Sequence, residues 1–164
     1  MRAAECGFLV LRPNYAPVVR KLTADDIRHI YSLRELLECF ALKKAWSAID
    51  RSRLSQFGKV VAQVNSATDS RKRLRAQFLL DHRLHQLWIS RCGNPWLSSI
   101  LERLFIYRPN LVDCIIDHTQ FSDQAFEEHK VILKAIKQGN LHRATTLLAR
   151  HIRRSALNLV ALLE

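Results

Sequence analysis

Apolar residues recur about every 3.6 positions along most of the chain, a spacing that predicts amphipathic α-helices. The first helix follows a cap signature around Thr23, and its pattern can be traced as far as Ile49. Further helices are predicted at about 54–64, 70–91, 95–107, a piece ending near 118, 122–137 and 141 to near the chain end. Short turns around Gly93 and Gly139 separate them. The predicted fold is all-α, an antiparallel bundle of about six helices.

The first residues have a different character from the rest. Residues 7–11 predict a short β-strand that Pro13 stops, and the proline and asparagine content of 14–17 indicates a linker. We therefore expect two parts. Residues 1–17 form a strand and linker, and residues 18–164 form the helical domain.

Polar side chains interrupt the apolar stripe of the third predicted helix. Spacings of three, four and three place four residues on one face: Phe78, Asp81, His85 and Trp88. That face should be buried, yet its two middle positions are a carboxylate and an imidazole. Because Asp81 and His85 stand one helical turn apart, both side chains can contact the same ion or ligand.

Two more histidines lie on the inner stripes of the last two helices. His129 belongs to the helix at 122–137, and His151 belongs to the helix that begins at 141. Their midpoint, residue 140, falls in the turn at 138–140. Residues equidistant from the turn of an antiparallel hairpin lie at the same height, so we expect His129 and His151 side by side.

These four side chains form a candidate site for a divalent metal: Asp81, His85, His129 and His151. Burying them without strong partners would cost on the order of several kcal/mol, which a cation bound to neutral imidazoles and a carboxylate removes. Three imidazoles and one carboxylate suit zinc, nickel, manganese or iron(II). The alternative is that the histidines are ordinary core residues, hydrogen-bonded to their neighbours.

Composition narrows the function classes. The 164 residues suit one domain, and 26 basic against 15 acidic residues give a net charge of +11. Such an excess favours anionic ligands or nucleic acid without choosing between them. The sequence has no apolar run of membrane-spanning length and no signal peptide at its start, so we expect a cytoplasmic protein with no membrane partner. The four dispersed cysteines are expected to be reduced thiols: Cys6, Cys39, Cys92 and Cys114.

With these motifs the sequence resembles the effector domain of GntR-type bacterial transcription regulators, in the FadR-like group whose C-terminal domain is called FCD. Residues 34–38 match the family's Arg-x-x-Leu-Glu element, and 81–85 match its Asp-x-x-x-His element. Gly-Asn-Pro stands at 93–95, and the two hairpin histidines are separated by the family's typical 22 residues. The resemblance covers nearly the whole chain.

The resemblance implies a metal held by the four residues named above, with zinc ahead of nickel, manganese or iron, and a small carboxylate effector beside it. Arg34 is the candidate to pair with the effector's carboxylate, and the alternative is an intrahelical ion pair with Glu38. A homodimer is expected. Residues 5–10 look like the last wing strand of a winged helix-turn-helix, the DNA-binding head that this chain is expected to lack. It would therefore reach operator DNA only through that head, with no DNA-binding residues of its own.

Catalysis is not expected, and no catalytic residues are assigned. A metal with an open position could activate water, but the inner stripes were found to carry no separate glutamate to act as a general base. Besides this metal-dependent hydrolase, one further alternative stays open. It is a basic helical nucleic-acid-binding or adaptor protein whose inward histidines are structural and bind no metal.

Overall fold

The computed structural model describes residues 9–10, 18–19, 22–105 and 119–164. The six α-helices in these ranges are α1 Ala24–Ala45, α2 Gln56–Ser66, α3 Ser70–Ile89, α4 Pro95–Phe105, α5 Thr119–Lys137 and α6 Leu141–Leu163. Two 3-10 turns, Trp46–Ala48 and Arg51–Ser55, connect α1 to α2. The predicted all-α bundle is confirmed.

Two short strands precede the helices. β1, Leu9–Val10, pairs antiparallel with β2, Val18–Val19. β1 lies within the strand predicted at 7–11. Val18 and Val19, at the start of the part expected to be helical, pair as a strand, and α1 begins at Ala24. The division at 17/18 into two domains stays a prediction.

Several helices begin or end at capping residues that can be recognised in the sequence. Thr23 and Asp26 form a capping box: the Thr23 hydroxyl accepts from the Asp26 amide at 3.1 Å, and the Asp26 carboxylate accepts from the Thr23 amide at 3.0 Å. Asp69 caps α3 by accepting from the backbone amide of Lys72. Gly139 has a φ value of 71°, the left-handed conformation expected just after the end of α5, and Gly93, with a φ value of 68°, lies in the turn between α3 and α4.

Other boundaries differ from the prediction. α1 ends at Ala45 instead of Ile49, because the chain tightens into a 3-10 turn at Trp46. α2 starts two residues later than predicted, after a second 3-10 turn. α5 starts at Thr119, three residues before the predicted start at 122, so Ser122 lies inside the helix. The helical piece predicted to end near 118, and the last two residues of the helix predicted at 95–107, lie outside the described residues.

The bundle packs around a single apolar core. α1 lies against α6, α3 and α4, while α5 lies against α6 and α3. Fully buried side chains from these helices fill the space between them, among them Ile27, Leu42, Leu84, Trp88, Ile132 and Leu148. None of the helices in the described ranges is long and apolar enough to cross a membrane. The meeting point of α1, α3, α5 and α6 is where the polar residues predicted to face inward should converge.

Candidate metal centre

The structure brings the four predicted metal ligands together. The Asp81 Oδ1 atom lies 3.2 Å from His129 Nε2, 3.6 Å from His85 Nε2 and 4.0 Å from His151 Nε2. The two hairpin histidines face each other with their Nε2 atoms 3.1 Å apart. All four ligand atoms lie within 4.8 Å of one another.

Three helices position these side chains. α3 supplies Asp81 and His85 from one face, one turn apart. The α5–α6 hairpin places His129 opposite His151, as expected for residues equidistant from its turn. All three imidazoles are at least 98% buried, and the side chain of Asp81 is 13% exposed. The three imidazoles are therefore buried, and Asp81 is the most exposed of the four side chains.

A buried ion pair contacts His85 on the ring edge that faces away from the cluster. The His85 Nδ1 atom contacts Glu38 Oε2, and the other carboxylate oxygen of Glu38 accepts from Arg34 Nε at 2.9 Å. These three side chains, Arg34, Glu38 and His85, are called the inner triad below. All three are almost completely buried.

A second set of the same composition holds His151. The His151 Nδ1 atom lies 2.8 Å from Glu128 Oε2, and Glu128 Oε1 contacts Arg154. These side chains, Arg154, Glu128 and His151, are called the outer triad. Its arginine is 35% exposed and its glutamate 11% exposed, so this set lies at the rim of the bundle.

Burial and neighbouring charges shift the pKa values of all three groups in the inner triad. Burial opposes ionisation of Glu38, but the adjacent His85 ring and the Arg34 guanidinium outweigh it and lower the pKa of Glu38 to about 2. Burial lowers the pKa of His85, against the opposing pull of the Glu38 carboxylate. Burial also acts to lower the pKa of Arg34, but the Glu38 carboxylate overcomes it, and the net pKa is raised. The triad thus contains a buried Arg–Glu ion pair, beside an imidazole whose charged form burial disfavours.

The histidine orientation follows from these contacts. A neutral imidazole carries one proton, and a carboxylate at Nδ1 holds that proton there, which leaves a lone pair on Nε2. His85 and His151 both direct such an Nε2 atom towards the carboxylate of Asp81. Nε2 of His85 is buried and has no hydrogen-bond partner in the part of the chain that the structure describes. Acceptor atoms facing a carboxylate in a dry core are unfavourable unless a cation lies between them.

The donor set and its spacing fit a divalent metal. Two ligands bound to one ion at about 2.0–2.2 Å can stand at most about 4.4 Å apart. Four of the six separations among these ligand atoms, from 3.1 to 4.0 Å, fall within that limit, and all six lie within 4.8 Å. Carboxylates behind the metal-binding histidines are a regular feature of such sites, because they fix the tautomer and raise the basicity of the ligand. Asp81, His85, His129 and His151 would hold the ion.

The sequence leaves two roles open to Arg34, pairing with an effector or with Glu38, and the structure shows the pair with Glu38 directly. Its Nε atom forms the buried ion pair with Glu38. Its guanidinium also stacks between the rings of Tyr31 and Phe105, at 4.5 and 4.3 Å from their centroids. The same arginine lines a cavity of about 90 Å³ that reaches Asp81, His129 and His151. Pairing with an effector would therefore use the Arg34 face turned to the cavity, with Glu38 still bound.

Sequence reasoning overlooked one site residue. Glu128 and His151 are nearly equidistant from the hairpin turn, which was the available signal for their contact. The expectation that no glutamate lies on the inner stripes is wrong, since Glu38 is fully buried and Glu128 nearly so. Both carboxylates are nevertheless engaged by a histidine and an arginine, so neither is positioned as a free general base.

Comparison with known families places these features in context. The family model described as "FCD domain" matches residues 29–154, which include all four candidate ligands and both triads. The HTH-type transcriptional repressor RspR of Escherichia coli K12 is 25% identical over 154 residues. That alignment covers 93% of this chain and 66% of RspR, so the chain spans slightly less than two thirds of the relative's length.

Solved structures share the fold. E. coli McbR/YncC superposes with a TM-score of 0.74 at 17% identity, over 96% of this chain and 75% of that one. A GntR family regulator from Pseudomonas syringae pv. tomato gives a TM-score of 0.63 at 19% identity, over 98% of this chain and 66% of that one. A Streptococcus agalactiae GntR protein gives 0.59 at 20% identity, over 96% and 78% of the two chains.

Proposed function

Because this chain belongs to the FCD domain family, found in GntR-type transcription regulators, we propose that it senses a small organic acid through a bound divalent metal. Family membership supports an effector-binding regulatory role, and the relatives are transcription regulators, not enzymes. The ion in the proposal is zinc, with nickel, manganese or iron as alternatives. When bound, it would supply a Lewis-acid centre to which a carboxylate can attach.

One observation carries the proposal: four ligand-type side chains converge in the core while carboxylates hold two of the histidines from behind. The structural alternative, in which inward histidines bond only to neighbours, explains the Nδ1 contacts equally well. It does not explain why Nε2 of His85 is buried without a hydrogen-bond partner among the described residues. A cation explains both.

The effector would bind in the cavity beside the cluster. Asp81, His129 and His151 form one part of its wall, and the buried Arg34 guanidinium forms another. A carboxylate placed there meets the metal and a fixed guanidinium together. The apo side chains already stand in place, so binding needs little ordering of the site.

Thermal denaturation tests the two binding steps in sequence. Zinc should raise the melting temperature of the metal-free protein, and millimolar acetate, malate or succinate should then raise it further for at least one acid. A ligand at a hundred times its Kd stabilises by about 2.7 kcal/mol, which is roughly 5–11 °C for a domain of this size. A shift by an acid that is the same with and without metal would contradict carboxylate binding at the ion.

We further propose that the domain pairs with a second copy through the outer face of α1. This face carries three exposed apolar side chains at helical spacing, Leu33, Leu36 and Phe40, and Leu157 of the adjoining α6 is also exposed. Sedimentation should report a dimer at micromolar concentration. Leu36→Arg should shift it to monomer, while Trp96→Arg, on an equally exposed side chain of α4, should not. A wild-type monomer would reject this interface.

The proposed output is a change in how paired winged helix-turn-helix heads sit on operator DNA. Within the proposal the effector moves that equilibrium only by its difference in affinity for the two arrangements. The bundle itself contacts no operator bases, and the regulator acts in the cytoplasm. A gel shift in which this polypeptide alone bound an operator sequence-specifically would contradict that division of labour.

A further inference from the structure

The cavity beside the metal cluster limits the size and the polarity of the effector. Its volume of about 90 Å³ is below the roughly 150 Å³ of an apolar cavity that encloses benzene. The enclosed part of a ligand therefore has only a few non-hydrogen atoms. Much of the lining is apolar: Tyr31, Phe78, Phe121, Ala125, Phe126 and Leu159.

The charges around the cavity call for a single negative charge on the ligand. Among the residues that the structure describes, the ionisable lining side chains are Asp81, Arg34, the two histidines and the phenol of Tyr31, and only Asp81 and Arg34 are ordinarily charged at neutral pH. Arg34 is neutralised by Glu38, to which it is bonded at 2.9 Å in the core. A divalent ion on Asp81 leaves one net positive charge, which one carboxylate balances. A second carboxylate would face aromatic rings and, among the described lining residues, would meet no cation other than Arg34, whose charge Glu38 already balances.

The polar lining residues do not change this charge balance. Gln77, Ser122, Ser155 and Asn158 are neutral and carry both donors and acceptors. Gln77 donates to Asp123 at 2.6 Å, and Asn158 donates to Gln124 at 3.4 Å. They can accept or donate a hydrogen bond to a small substituent, but they do not supply a counter-charge for a second acidic group.

We infer that the effector is a short monocarboxylate with an apolar tail, rather than a di- or tricarboxylate. This inference rests on the proposed function, because it counts the charge of the metal. The carboxylate lies at the ion and beside the Arg34 guanidinium, and the tail lies against the aromatic wall formed by Phe78 and Phe126. Loss of water from that wall supplies the selectivity for the tail.

Butanoate and succinate test the inference as a matched pair, because both have four carbons and differ in the second carboxylate. The protein is first loaded with zinc and its metal content is measured. Titration calorimetry should then give a Kd for butanoate at least tenfold lower than for succinate. Acetate should bind about tenfold more weakly than butanoate, since the tail adds two buried methylene groups.

A charge introduced into the wall should invert the preference. Ala125 lines the cavity from α5, and Ala125→Lys should improve succinate binding relative to butanoate. Ala149→Lys on α6 serves as the control, because Ala149 does not line the cavity. Succinate binding as tightly as butanoate to zinc-loaded wild-type protein, or no binding of either acid, overturns the inference. Failure to take up zinc at all overturns the proposed function instead.

Discussion

The inner and outer triads contain the same three residue types but lie in opposite surroundings. In the inner triad the side chains of Arg34 and Glu38 are 4% and 0% exposed, whereas in the outer triad those of Arg154 and Glu128 are 35% and 11% exposed. Breaking a buried ion pair leaves an uncompensated charge and costs about 3–5 kcal/mol, while exposed pairs contribute about 0–1 kcal/mol. The inner triad should therefore both stabilise the fold and position His85, whereas the outer triad should mainly position His151.

The largest expected difference is in folding stability. Glu38→Ala in metal-free protein should lower the free energy of unfolding by about 3–5 kcal/mol, because Arg34 and His85 lose their shared partner in the core. Glu128→Ala should lower it by only about 1–2 kcal/mol, since Arg154 can turn to water. Urea denaturation measures both. Equal losses would remove the distinction between the triads.

Metal affinity should respond alike in the two triads. Glu38→Gln and Glu128→Gln retain shape but weaken the hold on the histidine Nδ1 proton, and each should weaken zinc binding by about 10–100-fold. Competition with a chromophoric chelator gives the dissociation constants.

Glu127→Gln is the matched control for the outer triad. Glu127 neighbours Glu128 on α5 but is exposed and pairs with Lys130 at 2.8 Å. Its substitution should leave the zinc affinity within about twofold of wild type, in line with the small contribution of exposed ion pairs. Wild-type affinity in Glu128→Gln as well would show that the outer carboxylate does not position His151.

The two arginines should also differ, and the smallest expected effect is at Arg154. Arg34→Lys keeps the charge but loses the planar group stacked between Tyr31 and Phe105, so it should destabilise the fold by about 1–3 kcal/mol and weaken carboxylate binding. Arg154→Lys should change the stability by less than about 0.5 kcal/mol. Thermal denaturation with and without butanoate reports both quantities. A larger effect at Arg154 would reverse the proposed order.

Much of the site could be predicted because it follows from helical periodicity. The stripe positions of Asp81 and His85, together with the symmetry of the α5–α6 hairpin about residue 140, place four ligands in one region without any tertiary information. Caps such as Thr23 and Asp69 are equally local and were found where the sequence indicates them.

The remaining features depend on contacts that no local pattern encodes. Glu38 reaches His85 across 47 positions, so only the packing of α1 on α3 shows that it holds an imidazole. The pairing of Val18–Val19 with Leu9–Val10 likewise depends on a second strand. Without that strand, both valines could begin an amphipathic helix. The dual position of Arg34, ion-paired and lining a cavity, also required the fold.

Elemental analysis of untagged protein tests the metal centre most directly, with the double variant His129→Ala/His151→Ala beside it. Wild-type protein should contain about one zinc, nickel, manganese or iron per chain, and the folded double variant should contain none, because two of four ligands are gone. Circular dichroism confirms that the variant is helical. Absence of metal from wild-type protein, even after incubation with zinc, would contradict the metal centre and leave the inward histidines as structural residues.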